Sequence, residues 1–167
     1  FQAGLLMVQL SRLEEQTRTR DSNAAYLTEM LDKISGVTPV RPASGCTRNA
    51  HHMYMLRYDT RQFANLPRAK FLELLNKAGI GASSPYTPLN KTPHVMAITT
   101  NRHYLRLYGK KTMAEWAERN RCPNNDRVCE VALRFSQSKL LEGRAEMERI
   151  AAVIADVQRR AGELARA

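Results

Sequence analysis

Apolar residues recur every three or four positions through the N-terminal region, which is the spacing of one face of an α-helix. The stripe consists of Leu6, Leu10, Leu13, Ala24, Leu27, Leu31 and Ile34. Only Thr17 and Arg20 interrupt it. The pattern predicts one long helix that ends at Gly36, because glycine readily adopts the positive φ that closes a helix.

Residues 5–8 of this helix are apolar on every side, and a helical stretch of this kind is normally buried on every side by other parts of a protein. Two interpretations remain open: a helix threaded through the domain's own core, or a surface that contacts an absent domain or a second subunit. No capping side chain precedes the first helical residues, although a free helix end normally recruits one. We therefore expect the chain to be a piece of a longer one.

Alternation of apolar and polar residues predicts a half-buried strand at residues 52–58, followed by shorter strands at 80–84 and 133–137. The interpretation places the side chains of Met53 and Met55 in the core. The stretch 85–93 holds three prolines and is expected to be irregular. Pro39 and Pro42 are assigned to a connection between the first helix and the first strand.

Helical patterns begin at Pro67, near Tyr104, at Pro123 and near Arg144, with a break expected at Gly109. The last pattern continues to Leu164 at strict three-four spacing. Strands interspersed with helices, and a long helix at each end, predict an α+β fold. Its sheet would be small, antiparallel or mixed, and covered by helices.

The 167 residues are 43% apolar and 25% charged, as in ordinary globular proteins, but the net charge is +10. The excess arises in two stretches without carboxylates, residues 33–58 and 74–114. The basic residues there are Lys33, Arg41, Arg48, Arg57, Lys77, Lys91, Arg102, Arg106, Lys110 and Lys111. A solvated basic surface, a pocket for a small anion and a nucleic-acid interface all fit this distribution.

The chain contains three cysteines, and an odd count without paired spacing argues against a secreted disulfide framework. We therefore expect reduced thiols and a cytoplasmic protein. His51 and His52 are adjacent, so on a strand they would point to opposite faces. No histidine has the spacing to cysteines or carboxylates that zinc requires, and no metal site is expected.

No glycine-rich phosphate loop, nucleophile elbow or isolated carboxylate pair is present, so no catalytic residue is assigned. Residues 84–90 form the best candidate binding segment. Tyr86 offers a flat ring with a hydroxyl group, and Asn90 offers a donor and an acceptor, which suits a sugar-like ligand. An ordinary surface loop is equally compatible with this composition.

Short pieces of sequence along nearly the whole chain occur in the order found in a known family. They are Phe1-Gln2-Ala3, Gln9-Leu10, Arg12-Leu13, Asn23-Ala24, Tyr26-Leu27, His52-Met53-Tyr54, Arg57-Tyr58-Asp59, Leu66-Pro67-Arg68, Ala78-Gly79-Ile80, Tyr86-Thr87-Pro88-Leu89, Cys122-Pro123, Cys129-Glu130, Leu140-Leu141-Glu142-Gly143 and Met147-Glu148-Arg149-Ile150-Ala151. Together they resemble the C-terminal part of the DegT–StrS sugar aminotransferases, which use pyridoxal phosphate.

The resemblance implies the C-terminal small domain of an aspartate-aminotransferase-like fold. Members of this family transfer an amino group from glutamate or glutamine to a keto-sugar, often nucleotide-linked, or to a cyclitol. They act as homodimers whose active sites are shared between subunits. The lysine that forms the Schiff base, the aspartate at the pyridine nitrogen and the residues that hold the cofactor phosphate belong upstream of Phe1.

The resemblance therefore implies a fragment in which residues 1–35 form a linking helix and residues 36–167 form the small domain. The large domain that binds pyridoxal phosphate is expected to be absent. Such a chain would be inactive alone and would not hold the cofactor stably. It would supply the rim of the substrate site and contacts in the homodimer.

The resemblance also implies three substrate-binding residues, Tyr86, Asn90 and His52, for a small anionic sugar. Many family members place a histidine where Asn90 stands, so the substrate class does not carry over. No catalytic, cofactor-binding or metal-binding residue is assigned. A basic module that binds nucleic acid remains the alternative function, and no membrane association is expected.

Overall fold

A computed structural model describes residues 1–166 of the protein. The predicted N-terminal helix is confirmed as α1 (Gln2–Leu31). It ends before Ile34, whose buried side chain lies in the turn that follows. Gly36 completes this turn with a φ of +89°, a conformation that glycine adopts at little cost.

Four antiparallel strands form one sheet in the order β1-β2-β4-β3. They are β1 (Val37–Pro39), β2 (Met53–Tyr58), β3 (Ala82–Ser83) and β4 (Ala132–Ser136). The small antiparallel sheet is as expected, but the assignment of Pro39 to a simple connection is wrong. Residues 37–39 pair with β2 at the edge of the sheet, where a proline removes no central hydrogen bond.

One face of the sheet forms the core together with three helices, α1, α2 (Arg68–Lys77) and α7 (Arg144–Arg159). Tyr54 on β2 stands opposite Phe135 on β4 in the strand register, and both side chains are buried. Met53 and Met55 are only half-buried, so their expected place in the core is wrong. Period-two alternation sends them to the face opposite that of Tyr54.

The C-terminal pattern forms two helices, α7 and the short α8 (Ala161–Leu164), which are separated at Arg160. The buried side chains of α7 continue the core cluster with Met147, Ile150, Ile154 and Val157. The start predicted at Arg144 is confirmed, and the single helix expected to Leu164 is interrupted.

The described chain divides into two compact units. The first comprises Phe1–Ser83 and the chain from Ala132 onward, and the second is Ser84–Val131. Four α-helices occupy the second unit: α3 (Pro93–Met96), α4 (Arg102–Tyr108), α5 (Lys110–Arg119) and α6 (Pro123–Val131). The predicted break at Gly109 is confirmed by its φ of +80°, which separates α4 from α5.

The apolar start of α1 is open to solvent. Leu5, Leu6, Met7 and Val8 have relative exposures of 68%, 60%, 72% and 51%. A helix threaded through the core of its own domain would bury these side chains, so that interpretation is wrong. Within residues 1–166, no helix is both long and apolar enough to cross a bilayer.

Candidate functional site

The predicted binding segment forms the start of the second unit. Tyr86 lies between two prolines with 65% of its surface exposed, so its ring and hydroxyl are accessible. Asn90 lies in a 3₁₀ turn (Leu89–Lys91) and donates from Nδ2 to the carbonyl of Asn120 at 2.9 Å. Asn120 in turn donates to the carbonyl of Trp116 at 2.8 Å. This chain of amides holds the turn against α5.

An ion pair ties the same turn to α6. Lys91 Nζ lies 2.8 Å from Asp126 Oδ2, and the hydrogen bond to Asp126 raises the pKa of Lys91. The other carboxylate oxygen, Asp126 Oδ1, is buried and has no donor among the described residues. Asp126 also lies in the first turn of α6, where a negative charge interacts favourably with the helix dipole. Lys91 is therefore a charged anchor between the turn and α6.

His52 belongs to the first unit and lies exposed immediately before β2. The expectation that His51 and His52 occupy opposite faces of a strand is wrong, because β2 begins at Met53 and His51 has a φ of +45°. That backbone turn directs the His51 ring, which is 12% exposed, towards α1. His51 Nε2 lies 2.9 Å from Asp21 Oδ1.

A groove of about 510 Å³ lies between α1 and the segment that precedes β2. Thr17 and Arg20, which interrupt the apolar stripe of α1, line it and are buried to 7% exposure each. Sequence reasoning assigned no role to either residue. The signal was the occurrence of polar residues at positions where the helical period predicts apolar ones.

Four of the ten basic residues that create the positive charge form ion pairs with carboxylates. Arg41 pairs with Asp32 at 2.5 Å, Arg48 with Glu14 at 2.8 Å, Lys77 with Glu73 at 2.6 Å and Lys91 with Asp126 at 2.8 Å. Each pair reduces the charge that these four residues offer to a phosphate backbone.

The family model described as the DegT/DnrJ/EryC1/StrS aminotransferase family matches residues 1–155. The chain belongs to this family. The family match confirms the resemblance deduced from the short sequence pieces. It covers α1, the whole sheet, the second unit and most of α7.

Curated relatives match almost the entire chain. The 3-amino-5-hydroxybenzoate synthase of Amycolatopsis mediterranei is 29% identical over 96% of this chain and 38% of its own length. The L-glutamine:2-deoxy-scyllo-inosose aminotransferase of Streptoalloteichus tenebrarius is 30% identical over 98% of this chain and 38% of its own length. This member of the DegT/DnrJ/EryC1/StrS family thus spans just over a third of the length of these relatives.

Solved structures agree on the fold. A crystal structure of 3-amino-5-hydroxybenzoic acid synthase superposes with a TM-score of 0.70 at 26% identity, covering 95% of this chain and 38% of that one. The aminotransferase TlmJ from Streptoalloteichus hindustanus superposes with a TM-score of 0.59 at 20% identity. It covers 90% of this chain and 34% of that structure, and this likeness concerns the fold alone.

The lysines of this family member do not fit the covalent attachment of pyridoxal phosphate. A lysine that attacks an aldehyde must lose its proton, which a neighbouring carboxylate opposes. Burial alone would lower the pKa of Lys139, but hydrogen bonds to Glu146 and Glu142, both at 3.1 Å, outweigh it and raise that pKa. Lys91 is held charged by Asp126 in the same way.

The remaining lysines offer no better site. Lys70 and Lys77 pair with Glu73, and Lys33, Lys110 and Lys111 are exposed. Residues 1–166 also hold no group of three or more His, Cys, Asp or Glu side chains placed to bind a metal ion.

Proposed function

We propose that this chain is the C-terminal small domain of a pyridoxal-phosphate-dependent aminotransferase that transfers an amino group to a keto-sugar or cyclitol. The observation that carries the proposal is the family match over residues 1–155. Relatives whose names specify L-glutamine and an inosose support the substrate class. The two relatives that match nearly the whole chain are covered over only 38% of their own length. Cofactor attachment is therefore assigned to a part of the enzyme outside this chain.

Within this proposal, residues 1–35 form the linking helix and residues 36–167 the small domain. Tyr86, Asn90 and His52 contribute to the rim of the substrate site. The exposure of the Tyr86 ring and the anchored turn at Asn90 support this role, since a ligand needs accessible groups held in fixed positions. The ring can pack on a sugar face while the amide of Asn90 meets hydroxyl groups.

The exposed apolar residues 5–8 are proposed to contact the large domain or the second subunit of a homodimer in the cytoplasm. A cluster of exposed apolar side chains within one helical turn is typical of protein interfaces. The chain by itself is proposed to be inactive, because none of its lysines fits the attachment of pyridoxal phosphate.

The first experiment uses the chain alone. It is mixed with pyridoxal phosphate, L-glutamine and 2-deoxy-scyllo-inosose, treated with borohydride and analysed by mass spectrometry of tryptic peptides. We expect no amino transfer and no stoichiometric adduct. A one-to-one reducible adduct on a single lysine, or catalytic turnover, would contradict the assignment of this chemistry to another part of the enzyme.

The second experiment places residues 1–155 in the Streptoalloteichus tenebrarius enzyme in exchange for its matching segment. We expect the chimera to bind pyridoxal phosphate and to aminate an inosose. Tyr86→Ala and Asn90→Ala should raise KM with little change in the cofactor spectrum, whereas Tyr104→Ala in α4 serves as the matched control. A folded chimera that holds the cofactor and turns over no keto-sugar or cyclitol would refute the substrate assignment.

Nucleic-acid binding is the contrasting outcome. A basic binding module would bind an arbitrary duplex with a dissociation constant in the micromolar range or below, and its affinity would fall steeply as the salt concentration rises. We expect weak binding without that dependence, since Arg41, Arg48, Lys77 and Lys91 already have carboxylate partners. Titration of a fluorescent duplex at two salt concentrations distinguishes the two functions.

A further inference from the structure

Arg20 is a charged side chain in the buried stripe of α1, with only 7% of its surface exposed. Its Nη2 donates to Gln16 Oε1 at 3.3 Å, which is a neutral and rather long hydrogen bond. Its Nε has no acceptor among residues 1–166. A buried guanidinium group with an unused N–H is costly, because desolvation removes the water that would otherwise solvate it.

No carboxylate within the described chain neutralises Arg20. Glu14, which lines the same groove, and Asp21, the next residue along the helix, are engaged elsewhere. Glu14 accepts from Arg18 at 2.9 Å and from Arg48 at 2.8 Å, and Asp21 lies 2.9 Å from His51. The hydrogen bond from Arg48, followed by that from Arg18, lowers the pKa of Glu14. Arg20 therefore has no carboxylate partner in the described chain, and its Nε–H has no acceptor there.

The groove beside Arg20 combines this cation with apolar walls. Leu10, Leu13 and Ala50 line it together with Arg48. The lining of the groove holds two arginines, Arg20 and Arg48, and one carboxylate, that of Glu14, so positive charge is in excess there. Leu10 and Leu13 are 63% and 51% exposed. Covering their apolar surface with an apolar group is favourable, because it removes that surface from water.

We propose that this groove is a binding site for a small carboxylate that carries an apolar body. The carboxylate pairs with the guanidinium group of Arg20, whose side chain lines the groove, and Arg48 at the rim supplies a second positive charge. The apolar body packs on Leu10 and Leu13. A planar guanidinium is the group that best matches a carboxylate, and its burial makes each charge-assisted hydrogen bond stronger than in water. The inference is independent of the proposed aminotransferase function.

The test titrates the chain with benzoate and, separately, with the uncharged benzamide, and follows the methyl signals of Leu10, Leu13 and Ala50 by NMR. We expect saturable shifts with benzoate and at least tenfold weaker binding of benzamide, since one charged hydrogen bond accounts for roughly a tenfold change or more. Equal binding of the two probes, or no saturable shift with benzoate, would overturn the proposal.

Arg20→Met removes the guanidinium while preserving the length of the side chain. We expect benzoate affinity to fall roughly tenfold to a hundredfold while the melting temperature is unchanged or higher, because the variant loses an unsatisfied buried charge. Arg12→Met, at an exposed position on the same helix, is the matched control and should bind benzoate normally. Arg20→Gln is the second variant, for use if Arg20→Met does not fold. Normal benzoate affinity in either folded Arg20 variant would overturn the proposal.

Discussion

The hydroxyl of Tyr54 on β2 lies 2.7 Å from the hydroxyl of Thr28 on α1. The contact joins the centre of the sheet to the helix that crosses it, at a position where Tyr54 is 5% exposed. Burial raises the pKa of Tyr54 from its ordinary value of 10.0 to about 12, and the hydrogen bond to Thr28 opposes this shift. The pair therefore couples the packing of α1 to the protonation of one tyrosine.

Alkaline pH should destabilise the protein through Tyr54. Because the pKa of Tyr54 is raised in the folded state, its neutral hydroxyl stabilises the fold. This contribution to the free energy of unfolding is complete below about pH 10 and is lost as the pH rises through about 12. The loss should reach roughly 2–3 kcal/mol in the free energy of unfolding. Burial also raises the pKa of Tyr58, which adds to the effect. Urea unfolding at several pH values between 8 and 12 measures it.

Tyr54→Phe should flatten this alkaline profile and cost about 1 kcal/mol at pH 8, since it removes the bond to Thr28. Tyr104→Phe, at a position 40% exposed, is the matched control and should leave the profile unchanged. An unaltered pH dependence in the Tyr54 variant would refute the assignment.

Asn23 should be important for stability because its side chain links α1 by hydrogen bonds to residues 140–142, which are distant in sequence. Its Nδ2 donates to the carbonyls of Leu140 and Glu142 at 2.9 and 2.8 Å, and the side chain is buried. Asn23→Ala should lower the free energy of unfolding by roughly 1–3 kcal/mol, since it leaves carbonyl groups without donors. Gln9→Ala, at an exposed site on the same helix, should change it by less than about 0.5 kcal/mol. Equal stability of the two variants in urea would contradict this role.

Two glycines with similar backbone angles should respond differently to alanine. Gly36 and Gly45 have φ values of +89° and +84°. A Cβ at Gly36 would lie 2.5 Å from Gln62 Cβ and 2.9 Å from the Phe63 ring, whereas a Cβ at Gly45 meets nothing within 4 Å. Gly36→Ala should therefore cost roughly 1–3 kcal/mol more than Gly45→Ala, which pays only the backbone strain. Thermal unfolding of both variants checks the difference, and equal costs would show that the contact relaxes freely.

The exposed apolar start of α1 should cause the isolated chain to self-associate. Leu5 and Val8 lie one turn apart and are 68% and 51% exposed. The double substitution Leu5→Lys with Val8→Lys should shift the sedimentation profile towards the monomer, because charged groups resist burial in an interface. Gln2→Lys with Gln9→Lys adds the same charge to the same helix and is the matched control. A wild-type chain that sediments as a clean monomer at high concentration would contradict the prediction.

The predictable part of the fold followed from local periodicity. The spacing of Leu27 and Leu31, and of Ile150 and Ile154, identified α1 and α7 because residues three or four apart on a helix share one face. Alternation identified β2 in the same way. The strand at residues 37–39 escaped prediction because it is too short to show a period and exists by pairing with β2.

The candidate site was only partly predictable. The accessible Tyr86 and the anchored Asn90 agree with a binding loop expected from composition, but their role as substrate contacts stays a prediction. His51 contacts Asp21 through a left-handed backbone conformation that no residue pattern signals. The groove at Arg20 forms where α1 meets residues 48–50, and two such segments have no local relation in sequence.

The sequence by itself determined the family and the α+β class, because both rest on residue types and spacings within short stretches of chain. Only the tertiary structure decided which polar residues of α1 are buried and which apolar ones are exposed. Thr17 and Arg20 are covered, whereas Leu5 and Leu6 are open to solvent. Burial depends on what the rest of the fold brings to each face, as when Asn23 meets Leu140, 117 residues along the chain. Such contacts leave no local period in the sequence, so only the assembled fold reveals them.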